Sequence, residues 1–255
     1  MLLLTIIIAS LTLIERKFLA LVQRRVGPSF VGYKGRLQYI ADALKLFIKG
    51  VVIPSEANKF WFVAIPSIVA AVCYSFWINA VWGPSVSIFE VEYNIVYVSL
   101  FSVIFGICVM LTGFFSKNKY AMLAAVRTGI GMLNLEIFLG LMLLNIMFIG
   151  ESFSFFPLVI YQEIYWLIFY FFPLIGLITI TFLLETNRAP FDLAEAESEL
   201  VAGYQTEYGG FLFGLYYLGE YMHLFFFSMV VSIIFLGGWE NILFLFTFFI
   251  DFMLV

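Results

Sequence analysis

The sequence predicts an all-α, polytopic membrane protein: about seven transmembrane helices in a single bundle over residues 1–255, with an amphipathic helix lying on the membrane surface. Three observations carry this. The 255 residues are 64% hydrophobic and only 12% charged, and the mean hydropathy is +1.05, well outside the balance of a water-soluble domain. The apolar runs continue unbroken for roughly 20 residues, the length that crosses a bilayer as helix, where barrel strands would alternate over about ten. Hydrocarbon offers the backbone no hydrogen-bond partner, so long unbroken runs of this kind must satisfy themselves as helices.

Taken in order, the expected spans are 1–22, 60–82, 95–115, 130–149, 158–184, 209–236 and 240–255. The first is unusual in carrying Glu15, Arg16 and Lys17 near its end, and it reads as a membrane anchor: no basic region precedes it and no small-residue cleavage site follows. The last is truncated, at sixteen residues. Between the first two lies a basic loop, 23–59, in which Leu37, Ile40, Ala41, Leu44, Phe47 and Ile48 recur at helical spacing while Gln38, Asp42, Lys45 and Lys49 take another face. That pattern predicts a surface helix over about 36–49, either a simple anchor or one wall of a site for an amphiphilic ligand.

Charge is sorted by loop. All thirteen basic residues fall in 15–59, in the stretch containing Lys117, Lys119 and Arg127, or at Arg188. The alternate connections hold Glu90, Glu92, Glu151, Glu163 and Glu240 and no basic residue. This asymmetry predicts that the basic loops face the cytoplasm, or the matrix in a mitochondrion. The 32 Phe, with heavy Ile, Leu and Tyr usage, point weakly to an AT-rich organellar gene.

The most informative stretch is ETNRAPFDLAEAESE, residues 185–199, which gathers Glu185, Asp192, Glu195, Glu197 and Glu199 around Arg188 and opens an acidic loop, 185–208. Pro190 suits the first turn of a helix, where Asp192 and Glu195 would meet the positive end of its dipole. Asp192, Glu195 and Glu199 would then share a face, and a solvated acidic surface is the plain alternative. Two further acids, Glu136 and Glu220, sit mid-span. A carboxylate at that depth costs several kcal/mol unless protonated, paired or wetted, so both are candidate proton carriers; a carboxyl hydrogen-bonded to a neighbouring helix is the structural alternative. Cys73 and Cys108 read as buried apolar thiols, and the single histidine, His223, forms no metal cluster by itself. No flavin, haem, iron–sulfur or nucleotide motif is visible; GFLFGLYYLG follows no strand and is not a dinucleotide fingerprint.

Residues 15–50, ERKFLALVQRRVGPSFVGYKGRLQYIADALKLFIKG, residues 124–140, AAVRTGIGMLNLEIFLG, and residues 185–210, ETNRAPFDLAEAESELVAGYQTEYGG, closely resemble the chain 1 family of respiratory NADH:quinone oxidoreductase, complex I. The resemblance runs in order through nearly the whole chain. It implies a core membrane subunit forming the quinone cavity and the acidic start of the proton path, so that quinone reduction is coupled to proton pumping. Glu15, Arg16, Arg24, Arg25 and Asp42 match positions at the entrance or wall of the quinone tunnel. Glu185, Arg188, Asp192, Glu195, Glu197 and Glu199 match the loop beside the cavity, with Arg188 and Asp192 assigned to the cavity and the glutamates to the proton path. Glu136 and Glu220 match carboxylates of the acidic channel. The resemblance further implies ubiquinone as substrate and no redox cofactor on this chain, with flavin and iron–sulfur clusters held by hydrophilic partner subunits. Antiporter-like membrane subunits and membrane lipid are the other expected partners, and nucleic acid is not one. The expected location is the mitochondrial inner membrane, with the bacterial plasma membrane as the alternative. Family members carry a further basic loop and an eighth helix, so a separate polypeptide completing the bundle, or another subunit replacing that helix, is expected; Asp251 has no family role.

Three rivals remain at this point: the equivalent subunit of a membrane-bound hydrogenase, a stand-alone cation/proton transporter, and a structural anchor.

Overall fold

The computed structural model describes residues 2–81, 83, 92–162, 166–172, 175–186 and 203–240. The described residues form helices and no β-sheet: α1 (Leu2–Val22), α2 (Gln38–Ile48), α3 (Lys59–Ile78), α4 (Asn94–Ser116), α5 (Lys119–Gly150), α6 (Phe155–Tyr161), α7 (Leu167–Tyr170), α8 (Ile175–Glu185) and α9 (Gly210–Leu236). Among them α3, α4, α5 and α9 are long and apolar enough to cross a membrane. Helix α1 has the length but carries Glu15, Arg16 and Lys17 in its second half.

Helix α9 is the axis of the bundle. It buries residues around its whole circumference, Tyr221 through Val230 without a break, as a helix apolar on every side does when surrounded by others. It packs against α3, α2, α1, α6 and α7. Helices α4 and α5 form the tightest pair, and the reason is local: a Cβ at Gly113 would stand 2.3 Å from Ala125 Cβ and 2.5 Å from the Ala121 carbonyl oxygen. Small residues at this crossing let the two backbones touch, which is how helices associate where lipid leaves no hydrophobic drive between them.

Two segments differ from the sequence expectation. The span expected over 130–149 belongs to a helix that starts at Lys119, so Lys119 and Arg127 sit on helix α5 and not in a loop. At 32 residues it is about 48 Å long, well over the bilayer's hydrocarbon thickness. The span expected over 158–184 is divided among α6, α7 and α8. Pro157 is compatible with the first turn of α6, and Pro173, which precedes α8 in the sequence, is the proline that discourages a continuous helix. Gln162 compensates for the interruption. Its buried side-chain amide donates to the Ile233 and Leu158 carbonyls, at 3.1 and 3.3 Å, and accepts from the Leu167 N–H at 3.4 Å, satisfying the freed backbone groups inside the bundle. The expected seventh span lies outside the described residues beyond Glu240.

The two ends of the bundle are distinct. At one, Asn118 Nδ2 donates to Glu207 at 2.6 Å, Tyr208 donates to the Thr112 carbonyl at 3.3 Å, and Gly210, at φ +59, lies against the Lys49 carbonyl. At the other, Asn79 Nδ2 donates to the Asn94 carbonyl at 3.1 Å and the Ile95 N–H to the Phe153 carbonyl at 3.3 Å. Lys49, Lys117 and Lys119 thus gather at the first end, which matches the sorting of basic residues in the sequence.

Candidate functional site: a membrane cavity and a buried acid cluster

Helix α2 forms over Gln38–Ile48, as its periodicity predicts, and Leu37, Ile40, Leu44 and Ile48 point outward, exposed. A surface of that kind belongs in lipid. The inward side of α2 faces α1 and α9 across a cavity of about 480 Å³, lined by Ile8, Thr12 and Arg16 of α1, by Tyr39, Asp42 and Leu46 of α2, and by Phe211, Tyr217 and Tyr221 of α9, among others. Its size falls within the roughly 300–1,000 Å³ of small-molecule sites. Helix α2 therefore presents an exposed apolar face on one side and a cavity-lining face on the other.

Polar groups are concentrated on part of this lining. Arg16 Nη1 lies 2.7 Å from Asp42 Oδ2, and Gln38 Nε2 donates to Asp42 Oδ1 at 3.0 Å. Tyr221 donates to Glu15 Oε2 at 2.7 Å, and Tyr217 donates to the Tyr221 hydroxyl at 3.2 Å. Glu15 reaches the cavity through Tyr221. Arg24 and Arg25 do not line it. They lie exposed in the turn after α1, where Arg24 adopts φ 54 and Arg25 Nε donates to Gln23 at 2.6 Å.

Tyr221 stands beside Glu220 in sequence, but on a helix adjacent residues point about 100° apart. Glu220 turns from the cavity towards the turn Gly203–Gln205, where its Oε1 accepts from the Tyr204 hydroxyl and from Gln205 Nε2; Gln205 Nε2 also contacts the Tyr204 oxygen at 3.0 Å.

A third group lies deeper. Ser102 of α4 donates to Glu185 Oε1 at 2.8 Å, and Glu136 of α5 approaches both Ser102 and Glu185. His223 Nε2 of α9 stands 3.8 Å from Glu185 Oε1. Glu185 is 1% exposed, His223 2% and Glu136 7%. Four helices contribute one side chain each to this cluster. An apolar cavity of about 50 Å³ adjoins Glu136, lined also by Ser99, Phe182 and Phe227, large enough for water.

Glu185 is the residue whose surroundings differ most from the sequence expectation. Expected to open the acidic loop 185–208, with a solvated acidic surface as the plain alternative, it is the last residue of α8 and sealed among helices. His223, in the sequence a lone histidine without metal partners, faces it. The i, i+3 spacing of Glu220 and His223 is the available signal, since it places both on one side of a helix. Arg188, Asp192, Glu195, Glu197 and Glu199 lie outside the described residues, as does Asp251.

The profile of the family described as NADH dehydrogenase matches residues 1–255. NADH-ubiquinone oxidoreductase chain 1 of Paramecium tetraurelia is 69% identical over 240 residues, which span 94% of this chain and 92% of that protein. The protein of the same name from Chondrus crispus is 38% identical over 236 residues, 92% of this chain and 72% of that one. A subunit of NADH-quinone oxidoreductase from Pelagibacter ubique (strain HTCC1062) is 36% identical over 232 residues, 91% of this chain and 70% of that one. With the whole sequence matched and relatives aligned over nine-tenths of its length, the chain belongs to the NADH dehydrogenase family.

Proposed function

We propose that this chain is the membrane subunit of an NADH-quinone oxidoreductase that holds the quinone and begins the proton path, in the mitochondrial inner membrane with its basic end towards the matrix. The observation that carries the reading is that α9 is shared by both halves of the site. Tyr217 and Tyr221 face the cavity, while one step round the same helix Glu220 meets Tyr204 and Gln205 and His223 faces the buried acids.

The chemistry fits an amphiphile. Ile8, Leu46, Phe211 and Leu218 give an apolar wall for a lipid-like tail, and Arg16, Asp42 and the Tyr217–Tyr221–Glu15 chain give polar contacts for an oxygenated head. Electrons come from flavin and iron–sulfur clusters on hydrophilic partner subunits. Quinone reduction takes up protons as well as electrons, so negative charge or proton demand develops in the cavity. The hydrogen-bonded hydroxyls respond first: a change at Glu15 or Tyr221 alters the field at Glu220 on the same turn, and Glu220 in turn that at the Glu185–Glu136 pair. Two carboxyls facing each other in apolar surroundings favour holding a proton between them, and release of that proton is the step that passes the redox event towards antiporter-like neighbours.

A quinone analogue carrying a photoreactive head, irradiated in the intact complex and followed by peptide mapping, tests the cavity. Labelling of peptides from α1, α2 and the first half of α9, competed by free quinone, is expected. Labelling confined to other surfaces of the chain contradicts the assignment.

A further inference from the structure

The buried ring of His223 has surroundings that packing alone does not explain. Phe105 stacks on it at 4.5 Å and 15°, Phe76 meets it edge-on at 5.3 Å, and Phe227 tilts against it at 4.6 Å. Three aromatic rings from α3, α4 and α9 thus box the imidazole, yet its Nε2 has no hydrogen-bond partner there. A phenylalanine in that box would leave no ring nitrogen unpaired, so the polar atom carries a cost that simple packing would avoid. Glu185 Oε2 and Glu136 Oε1 are likewise buried without hydrogen-bond partners. Three groups that can bind a proton therefore meet with capacity to spare.

We propose that His223 is a proton-carrying residue of this chain, passing protons between Glu220 and the Glu185–Glu136 pair. This rests on the proton-path reading above and adds a member to it. Glu220 lies three residues earlier on α9, so the two side chains project from the same side of the helix. Glu185 of α8 faces the ring at 3.8 Å with Glu136 of α5 behind it, while α3 and α4 present Phe76, Phe105 and Ser102. In the forward step the Glu220 carboxyl gives its proton to Nδ1 of the imidazole, and the imidazolium then releases the proton on Nε2 to the Glu185 carboxylate. One O–H and one N–H bond break, one N–H and one O–H bond form, the ring is left neutral as the other tautomer until it turns back, and no electron moves. The 3.8 Å gap is too long for a hydrogen bond, so the second transfer needs the ring or the carboxyl to approach, which makes the gap a point of control. The stacked face of Phe105 suits the transient cation, since it presents its electron-rich side to positive charge.

The test uses the assembled complex in its membrane, with NADH-to-artificial-acceptor activity as the measure of intact electron entry. His223→Phe keeps the ring packing and His223→Gln keeps a polar group near Glu185; neither can carry a proton. Both are expected to slow quinone-coupled turnover by roughly a hundredfold, the lower end of what a positioned proton carrier contributes, and to shift the midpoint of the pH–rate profile, with acceptor activity unchanged. Wild-type turnover in either variant that assembles overturns the proposal. So does slow turnover with an unshifted profile, which is what a packing residue gives. Parallel Glu136→Gln and Glu185→Gln variants separate the two levels. If they block proton translocation while His223→Gln does not, only the histidine's role fails; if they too pump normally, the proton path itself fails.

Discussion

The Arg16–Asp42 pair and the Glu185–Glu136–His223 cluster are both ionisable, both are assembled around α9, and they behave oppositely. Arg16 and Asp42 keep side-chain exposures of 46% and 38%, so water still screens them and the pair contributes about 0–1 kcal/mol to stability. Their value lies in offering charge of either sign at the rim of an apolar cavity. Glu185 and His223 are sealed. Burying a charged acid among apolar helices is costly unless it is paired, and no Lys or Arg stands near Glu185 among the contacts described. The exposed pair keeps its contact with water; the buried cluster is shut away from it. The difference divides the labour between binding a polar head and handling a proton.

The largest expected effect follows from the sealed side. Glu185→Gln keeps volume and the Ser102 contact while removing the proton site, and it should lower quinone-coupled turnover by roughly a hundredfold, about 2.7 kcal/mol of barrier. Turnover assays across pH in native membranes would show it; an effect confined to quinone affinity would erase the distinction between the regions. Next comes the scaffold beneath both. Gly113→Leu drives a side chain into Ala121 and Ala125 and should cost about 1–3 kcal/mol, read as reduced thermal stability of the assembled complex with little change in quinone KM.

On the cavity side the effects shrink. Tyr221→Phe removes the hydrogen bond to Glu15, worth about 0.5–1.5 kcal/mol, and should change both the KM for quinone and the pumping efficiency, because Tyr221 belongs to the helix that joins the two sites. Asp42→Asn should do least, a change of about 1 kcal/mol or less, seen as a modest rise in quinone KM that fades as ionic strength increases. A larger, salt-independent loss would mean that Asp42 acts inside the site and not at its rim.

Some of this is legible in the sequence because hydropathy and helical period are local properties. Helices α3, α4 and α9 appear close to their expected limits, and the two faces of α2 can be read from Leu37 to Ile48. The interruption after Gln162 is only faintly marked: Gln162 and Glu163 are two polar residues in an otherwise apolar run and Pro173 follows, but none of these says that a buried amide repairs the break. Glu185 adjoins the charges of Arg188 to Glu199 in sequence, so composition groups it with the acidic loop, while the helix carries it inside. Glu136 and Glu220 stand out as isolated acids in apolar runs, but that Glu136 meets Glu185 and not Glu220 is a property of helix packing. His223 suggests metal binding by residue type, a role that one histidine cannot fill, and only the packed bundle shows what it faces.

The claim on which both regions depend is that Glu185 and Glu136 exchange a proton when quinone is reduced. Infrared difference spectra of the intact complex, recorded between oxidised and reduced quinone, measure this directly through the carbonyl stretch of protonated carboxyls. The expected result is a redox-linked carboxyl band that Glu185→Gln removes and Glu136→Gln shifts. A spectrum in which both variants retain every band of the wild-type complex would show that these acids keep their protons throughout, and that the buried cluster is structural.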